Sequence, residues 1–259
     1  MNSTTPIIGL NCDTFREKNG DITGVRQVYW EAVERAGGIP LLIPHLTDRQ
    51  ALQRILALVD GVLLVGGDDI SPERLAQACG APVVASPSST LMPELREKSD
   101  FLLIELLLEL GGLRPAASVA RTLPVLGICL ANQEVAVVHG GSLHQHLPED
   151  LPGVMHVFDS PHGQAARHAV RVAPGSLLAR IWGGAAEMGV NSAHHQGVKS
   201  AGSGPRAVAW APDGLIEALE LLDHPFFLTV QWHPERLPDE PMQRKLFSAL
   251  VHAAANPVC

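Results

Sequence analysis

The sequence predicts an α/β fold with a mostly parallel central sheet flanked by helices on both faces. Three observations carry this. Short apolar runs of strand length alternate with stretches of helical spacing, the pattern of a parallel sheet covered on both sides. Glycine pairs close two of the helical stretches, at Gly37-Gly38 and Gly111-Gly112. The chain has 259 residues, is 46% hydrophobic and only 4% aromatic, so it can bury one large aliphatic core.

Taken in order, Ile7–Asn11, Ile39–Ile43, 61–65 and Val125–Ile128 read as short buried strands. Between the first two, residues 24–36 form a helix with Val25, Val28, Ala32 and Ala36 on one face. Residues 49–58 and the strongly apolar 100–110 are the next helices, and the stretch after Cys129 to Val138 is another. Later strands fall at 168–172, 207–210, 215–221 and 227–232, and Pro241–Ala255 is a terminal helix. The Gly-, Pro- and Ser-rich stretches 81–93 and 148–164 read as loops near a site rather than linkers, which leaves a single domain over 1–259. There is no internal repeat.

Charge and cysteine usage exclude several classes. A net charge of −8 without a basic cluster argues against nucleic acid or an anionic membrane as partner. The N-terminus lacks the basic and apolar regions of a signal peptide, and no apolar run approaches the roughly 20 residues that span a bilayer. Cys12, Cys79, Cys129 and Cys259 are scattered without a Cys-x-x-Cys pair, which fits a reducing cytoplasm better than a disulfide scaffold or zinc ribbon.

Three segments carry chemistry. Pro124-Val-Leu-Gly-Ile-Cys129-Leu-Ala-Asn-Gln133 has the pattern of a nucleophile elbow: a buried strand, a sharp turn bearing Cys129, then a helix. A sulfur at a helix N-terminus is favoured as thiolate by backbone N–H groups and the helix dipole; the competing reading is a buried core cysteine. Pro225-Phe-Phe-Leu-Thr-Val-Gln-Trp-His233-Pro-Glu235 ends a second strand in His-x-Glu, where His233 can act as general base and Glu235, two residues on in extended chain, can orient its ring. Asp60-Gly-Val-Leu-Leu-Val-Gly66-Gly67-Asp68-Asp69 closes a third strand. An amide near Gly67, with that of Leu130, could supply the two donors of an oxyanion hole, although an ordinary strand-to-turn Gly-Gly reads the same way.

Together these segments resemble the class I glutamine amidotransferase family with its Cys-His-Glu triad, and within it the stand-alone γ-glutamyl-γ-aminobutyrate hydrolase (peptidase C26) branch. The resemblance covers nearly the whole chain. It rests on Ile7-Ile-Gly-Leu-Asn11, Gly66-Gly-Asp-Asp-Ile-Ser-Pro72, Asp100, the elbow, Gly140-Gly-Ser-Leu-His-Gln145, Asn191-Ser-Ala-His-His-Gln196, Asp213-Gly-Leu-Ile-Glu217 and Gln231-Trp-His-Pro-Glu235, in that order. It implies a flavodoxin-like fold and hydrolysis of the γ-glutamyl amide of a small compound, γ-glutamyl-γ-aminobutyrate or a related polyamine-catabolism intermediate. Catalysis would run through a Cys129 thioester, with His233 and Glu235 completing the triad, Gly67 and Leu130 holding the oxyanion, and no cofactor or metal. Gln133 would position the glutamyl part, and Asp68, His195 and Gln196 are substrate-binding candidates, each with a purely structural alternative. A homodimer would be unsurprising.

The elbow departs from the family's Gly-x-Cys-x-Gly-x-Gln: Ala131 stands at the second glycine, and Leu130 where the branch often has Arg. The methyl of Ala131 could overpack the elbow helix, and Leu130 could change what meets the substrate's charged end. Adjacent His194 and His195 point to opposite sides in extended chain, which disfavours one shared metal ion. His144 and His146 read as a solvent-facing strand edge, and Glu134 as either a site residue or a solvated helix charge. Two rival functions remain: a glutaminase subunit passing ammonia to a partner synthase, and a catalytically weak binding or regulatory protein on the same fold.

Overall fold

The structure, a computed structural model, describes residues 5–111, 122–154, 156 and 166–257. In chain order the elements are β1 (Ile7–Asn11), β2 (Asp13–Phe15), β3 (Ile22–Gly24), α1 (Gln27–Arg35), β4 (Ile39–Ile43), α2 (Arg49–Leu56), β5 (Gly61–Leu64), α3 (Pro72–Cys79), α4 (Glu94–Leu110), β6 (Val125–Ile128) and α5 (Leu130–Val138). They continue with β7 (Ser142–His144), α6 (Leu147–Asp150), β8 (Ala166–Val172), α7 (Leu177–Ile181), β9 (Glu187–Ser192), β10 (Gly197–Ser200), β11 (Pro205–Trp210), β12 (Ile216–Leu221), β13 (Phe227–Val230), a single 3₁₀ turn at Pro234–Arg236, and α8 (Pro241–Ala255).

The core of the sheet is parallel, in the order β4-β1-β5-β6-β13. Alternate residues of these strands face opposite layers. Leu63, Leu126 and Leu228 pack against Tyr29 and Val33 of α1 and Leu246, Phe247 and Leu250 of α8. Val62, Val125 and Phe227 pack against Leu52 and Leu56 of α2 and Leu103 and Leu107 of α4. This is why β1, β5, β6 and β13 read as continuous apolar runs; β4, expected to be buried, lies at the sheet edge and exposes Ile39, Leu41 and Leu42.

Beyond β13 the sheet continues antiparallel through β12, β11, β8 and β9, with β10 pairing β12 and β7. The sheet is therefore mixed around a parallel core. The antiparallel wing follows from its connections: β11 and β12 are separated only by residues 211–215, too few for the crossover that parallel strands need.

Several boundaries differ from the sequence expectation. The helix expected over 24–36 starts at Gln27, because Ile22–Gly24 pairs with Asp13–Phe15 as a small hairpin. The helix expected from Asp100 starts at Glu94, after Pro93. Its first turns carry Arg96, Glu97, Ser99 and Asp100, charged or polar residues that are nonetheless buried, so hydrophobic spacing could not reveal them. The 81–93 stretch has neither helix nor strand, as expected, apart from a bridge between Asp69 and Leu91. The 148–164 stretch begins inside α6 and lies mostly outside the described residues, as do Cys259 and the first four residues. Among the described residues no helix is long and apolar enough to cross a membrane.

The elbow absorbs the extra methyl of Ala131 because a bare Cα faces it. Ala131 is fully buried, and a Cβ placed on Gly127 would lie 2.9 Å from the Ala131 Cβ and 2.7 Å from Thr229 Cγ2. Gly127 thus provides the room that the alanine uses. Gly127→Ala is expected to cost about 1–3 kcal/mol through overpacking, read as a lower urea midpoint; an unchanged midpoint would show that the helix shifts freely.

Candidate active site

Three loops meet at the carboxyl ends of β5, β6 and β13, which are neighbours in the sheet. Ligand sites of open α/β sheets gather at this edge. Each loop delivers one of the pieces expected from the sequence.

Cys129 follows β6 directly and caps α5. It has φ 54° and ψ −99°, and among the described residues no other non-glycine residue has a positive φ. Such a backbone costs of order 1–3 kcal/mol and persists only where the surroundings hold it. Here its N–H is fixed on the Val230 carbonyl at 2.7 Å. The thiol stands at the N-terminus of α5, beside the side-chain amide of Gln231, whose Nε2 donates to Sγ at 3.6 Å.

His233 feels Cys129 on one side, and on the other its Nδ1 lies 2.7 Å from Glu235 Oε1. With Nδ1–H donated to that carboxylate, Nε2 is left to face the thiol. The pairing does not use extended chain, as the sequence suggested: Pro234–Arg236 is a 3₁₀ turn that folds Glu235 back under the ring. Arg236 Nε, 3.3 Å from the same Oε1, adds a cation to the carboxylate. Asn191 clamps the backbone of His233 from both sides, its Oδ1 accepting from the His233 N–H at 3.0 Å and its Nδ2 donating to the carbonyl at 2.9 Å. Burial alone would lower the His233 pKa, but the charges of Glu235 and Cys129 and the hydrogen bonds to both raise it to about 9. The arrangement favours the imidazolium form of His233 beside the Cys129 sulfur.

Gly66 and Gly67 form the third side. A Cβ on Gly66 would lie 3.2 Å from His233 Cε1 and 3.4 Å from Cys129 Cβ, so a side chain there would press on both. The Gly66 N–H donates to the Tyr29 hydroxyl at 3.1 Å, and its carbonyl accepts from Arg96 at 2.9 Å. Among the described residues no hydrogen bond takes the N–H of Gly67 or of Leu130, the two expected oxyanion donors. The Arg96 guanidinium fills the space that a Gly67 side chain would need and pairs with Asp13 and Asp100, locking the loop from behind.

These groups open onto a cleft of about 380 Å³ lined by Cys129, Gly67, Asp68, Gln133, His195 and Gln196, so all four substrate-binding candidates are gathered there. Ser88 and Thr90 bring the 81–93 loop to its rim. The residue that grips His195 is Asp69, not Asp68: its carboxylate lies 2.9 Å from His195 Nε2 and also accepts from the Thr90 N–H. The Asp68 carboxyl is held above its usual range by burial and by Asp13. Gln133 is buried, with Nε2 donating to the Gln196 carbonyl at 3.3 Å. A larger cleft of about 550 Å³ between α1 and α8 touches Glu235 from behind, but its lining includes neither Cys129 nor His233.

Four sequence readings need correction or sharpening. Leu130 does not face the substrate: it is buried among Ile70, Leu75, Phe101 and Leu143. Glu134 is not a solvated charge. It is fully buried with neither carboxylate oxygen hydrogen-bonded, and burial, reinforced by Asp100, pushes its pKa well above the usual carboxylate range. His144 does lie in an edge strand but is half-buried, 3.6 Å from Asp150. His146 turns toward the His195 ring, with centroids 5.7 Å apart. Sequence reasoning missed Tyr29, Arg96, Asn191 and Gln231. Asn191 and Gln231 stand inside motifs that carry the resemblance, whereas Tyr29 and Arg96 reach the site only through the packing of α1 and α4.

The Peptidase C26 family model matches residues 6–235. The chain belongs to the peptidase C26 family. Relatives in this family include the γ-glutamyl-γ-aminobutyrate hydrolase of Escherichia coli K12, 32% identical, with 97% of this chain and 94% of that one covered. A glutamine amidotransferase-like protein of Rickettsia prowazekii is 28% identical, with 96% of each covered. The crystal structure of a GMP synthase-like protein from Thermoplasma acidophilum shares the fold, with a TM-score of 0.57 and 17% identity over 97% of this chain and 96% of that one. The family is hydrolase-like, and in this chain's elbow Gly127 leaves the room that Ala131 occupies.

Proposed function

We propose that the protein is a thiol hydrolase of small γ-glutamyl amides. The observation that carries this is the strained Cys129 held against His233–Glu235 at the mouth of a cleft with two uncommitted backbone amides. The Cys129 thiolate attacks the γ-carbonyl, and the oxyanion is received by the N–H groups of Gly67 and Leu130. The imidazolium of His233, steadied by Glu235, gives its proton to the departing amine as the C–N bond breaks. Water, deprotonated by the now neutral His233, then attacks the thioester; the carbon–sulfur bond breaks and glutamate leaves. Gln133, Asp68, His195 and Gln196 line the space for the glutamyl head and amine.

Relatives named γ-glutamyl-γ-aminobutyrate hydrolase support that compound as the first substrate to try. Glutamate release should be measured from γ-glutamyl-γ-aminobutyrate and, separately, from glutamine. Faster release from the former supports the stand-alone hydrolase. Release from glutamine alone, stimulated by a co-purifying enzyme, would favour the ammonia-supplying role instead. A thiol-reactive γ-glutamyl analogue that fails to label Cys129 would overturn the reading.

The raised pKa of His233 sets the alkaline limit. Its charged form persists below about 9 and is lost as pH rises through that value, so kcat/KM should fall above about pH 9. Glu235→Gln removes the attraction that holds the proton, so the limb should move to lower pH by about one unit or more. A limb that stays in place would exclude Glu235 as the group that sets it.

A further inference from the structure

The antiparallel wing holds a second cluster behind the cleft wall. His156, His168 on β8, His194 just after β9 and Glu217 on β12 each turn one ligand-type atom toward a common centre, all within 4.8 Å of one another. Three imidazole nitrogens converge on one carboxylate oxygen: His168 Nε2 at 3.3 Å, His156 Nδ1 at 3.7 Å and His194 Nε2 at 3.9 Å from Glu217 Oε1. All four side chains are at least 95% buried.

The outward nitrogens are already committed. His156 Nε2 lies 2.8 Å from Asp213 Oδ2, His168 Nδ1 is 3.1 Å from the Ala169 carbonyl, and His194 Nδ1 is 2.9 Å from the Gln196 carbonyl. Carbonyls only accept, so the Nδ1 atoms of His168 and His194 carry the proton, and the Asp213 carboxylate draws it to Nε2 of His156. With the three imidazoles neutral, the inward nitrogens are bare lone pairs. They face a carboxylate neither of whose oxygens has a hydrogen-bond partner, and His168 Nε2 has none either. The hydroxyl of Ser192 lies 3.0 Å from His194 Nε2, 3.4 Å from His156 Nδ1 and 3.0 Å from the His156 carbonyl, and its single proton serves one of these acceptors. In that state a buried centre of acceptors has one proton between them, and a cation would satisfy it.

We propose that His156, His168, His194 and Glu217 bind one divalent transition-metal ion of the zinc class. Three imidazoles and one carboxylate suit zinc, whereas calcium and magnesium favour all-oxygen sets. Tetrahedral bonds of about 2.0–2.1 Å place ligand atoms about 3.3 Å apart; the three nitrogens already lie 3.3–3.9 Å from Glu217 Oε1, and the whole set, within 4.8 Å, would draw inward around the ion. Outward N–H groups on a carboxylate and on carbonyls are the outer contacts that orient metal-binding histidines. Four protein ligands close the site, which makes the ion structural: it ties β8, β9 and β12 together and fixes His194 next to His195 and Gln196 in the cleft. His195 itself points away, to Asp69.

The test uses the full chain, freed of any affinity tag, as Cys129→Ala so that the active-site thiol cannot take the metal. After dialysis against zinc, one equivalent should remain bound, and Tm should rise by about 8 °C or more when free zinc exceeds Kd about 1,000-fold. Cobalt(II) in place of zinc should give the strong visible absorption of a four-coordinate ion without a thiolate charge-transfer band. His168→Ala and Glu217→Gln should each weaken zinc at least about 100-fold. No retained metal and no Tm shift, a thiolate band, or a six-coordinate cobalt spectrum would overturn the proposal, as would undiminished zinc affinity in both variants. The cobalt spectrum decides it even if the variants do not fold.

Discussion

Cys129→Ala is expected to lower glutamate release from the best γ-glutamyl substrate by about 10⁴-fold or more, with the fold unchanged. Triad members act as a unit, so losing the nucleophile forfeits nearly all of their joint contribution and leaves only binding and the oxyanion donors. Alanine keeps the Cβ that the elbow already tolerates at φ 54°, so the thermal midpoint should barely move. Cys12→Ala is the matched control: Cys12 is also buried, and burial pushes its thiol up to about 11, leaving it a poor nucleophile. Its rate should stay near wild type. A Cys129→Ala protein retaining more than about 1% of the activity would remove the thiol from the mechanism.

Arg96→Ala should be the most destabilising single change, costing about 3–5 kcal/mol in urea unfolding. The Arg96 side chain is fully buried between Asp13 and Asp100, and Glu134 feels its charge from α5. Removing the cation leaves buried carboxylates uncompensated and frees the Gly66 carbonyl, so activity should fall as well. Arg35→Ala, which breaks the exposed pair with Glu31, should cost less than about 1 kcal/mol. If Arg96→Ala matched Arg35→Ala, the buried charges must neutralise themselves, and Arg96 would not be what holds the loop.

The candidate triad was legible because each member sits at the end of an apolar run. Cys129 follows Val125–Ile128, His233 follows Phe227–Val230, and both strands lie side by side in the sheet. A strand buried on both faces announces itself by continuous hydrophobicity, and its end is where a parallel sheet exposes side chains. Arg96 was not legible for the opposite reason. It lies in a polar first turn of α4 that reads as solvent-facing and becomes buried only when α4 packs across the Gly66–Gly67 loop. The same holds for two antiparallel strands: β7 and β10 are only three and four residues long and pair with each other across a long stretch of chain, so no local period marks them.

Local sequence specifies the parallel core, the order of its helices, and the three loops that carry Cys129, His233 and Gly66–Gly67. These follow from hydrophobic patterning and glycine placement, which do not depend on what packs against them. Long-range packing settles the rest. It makes Gly127 the room for Ala131, puts Leu130 in the core, pairs His195 with Asp69, and brings His156, His168, His194 and Glu217 together. Those four are spread over 62 positions of the chain. His168 and Glu217 lie on separate strands, so their meeting depends on sheet pairing and register, and a one-residue slip would turn either of them to the other face.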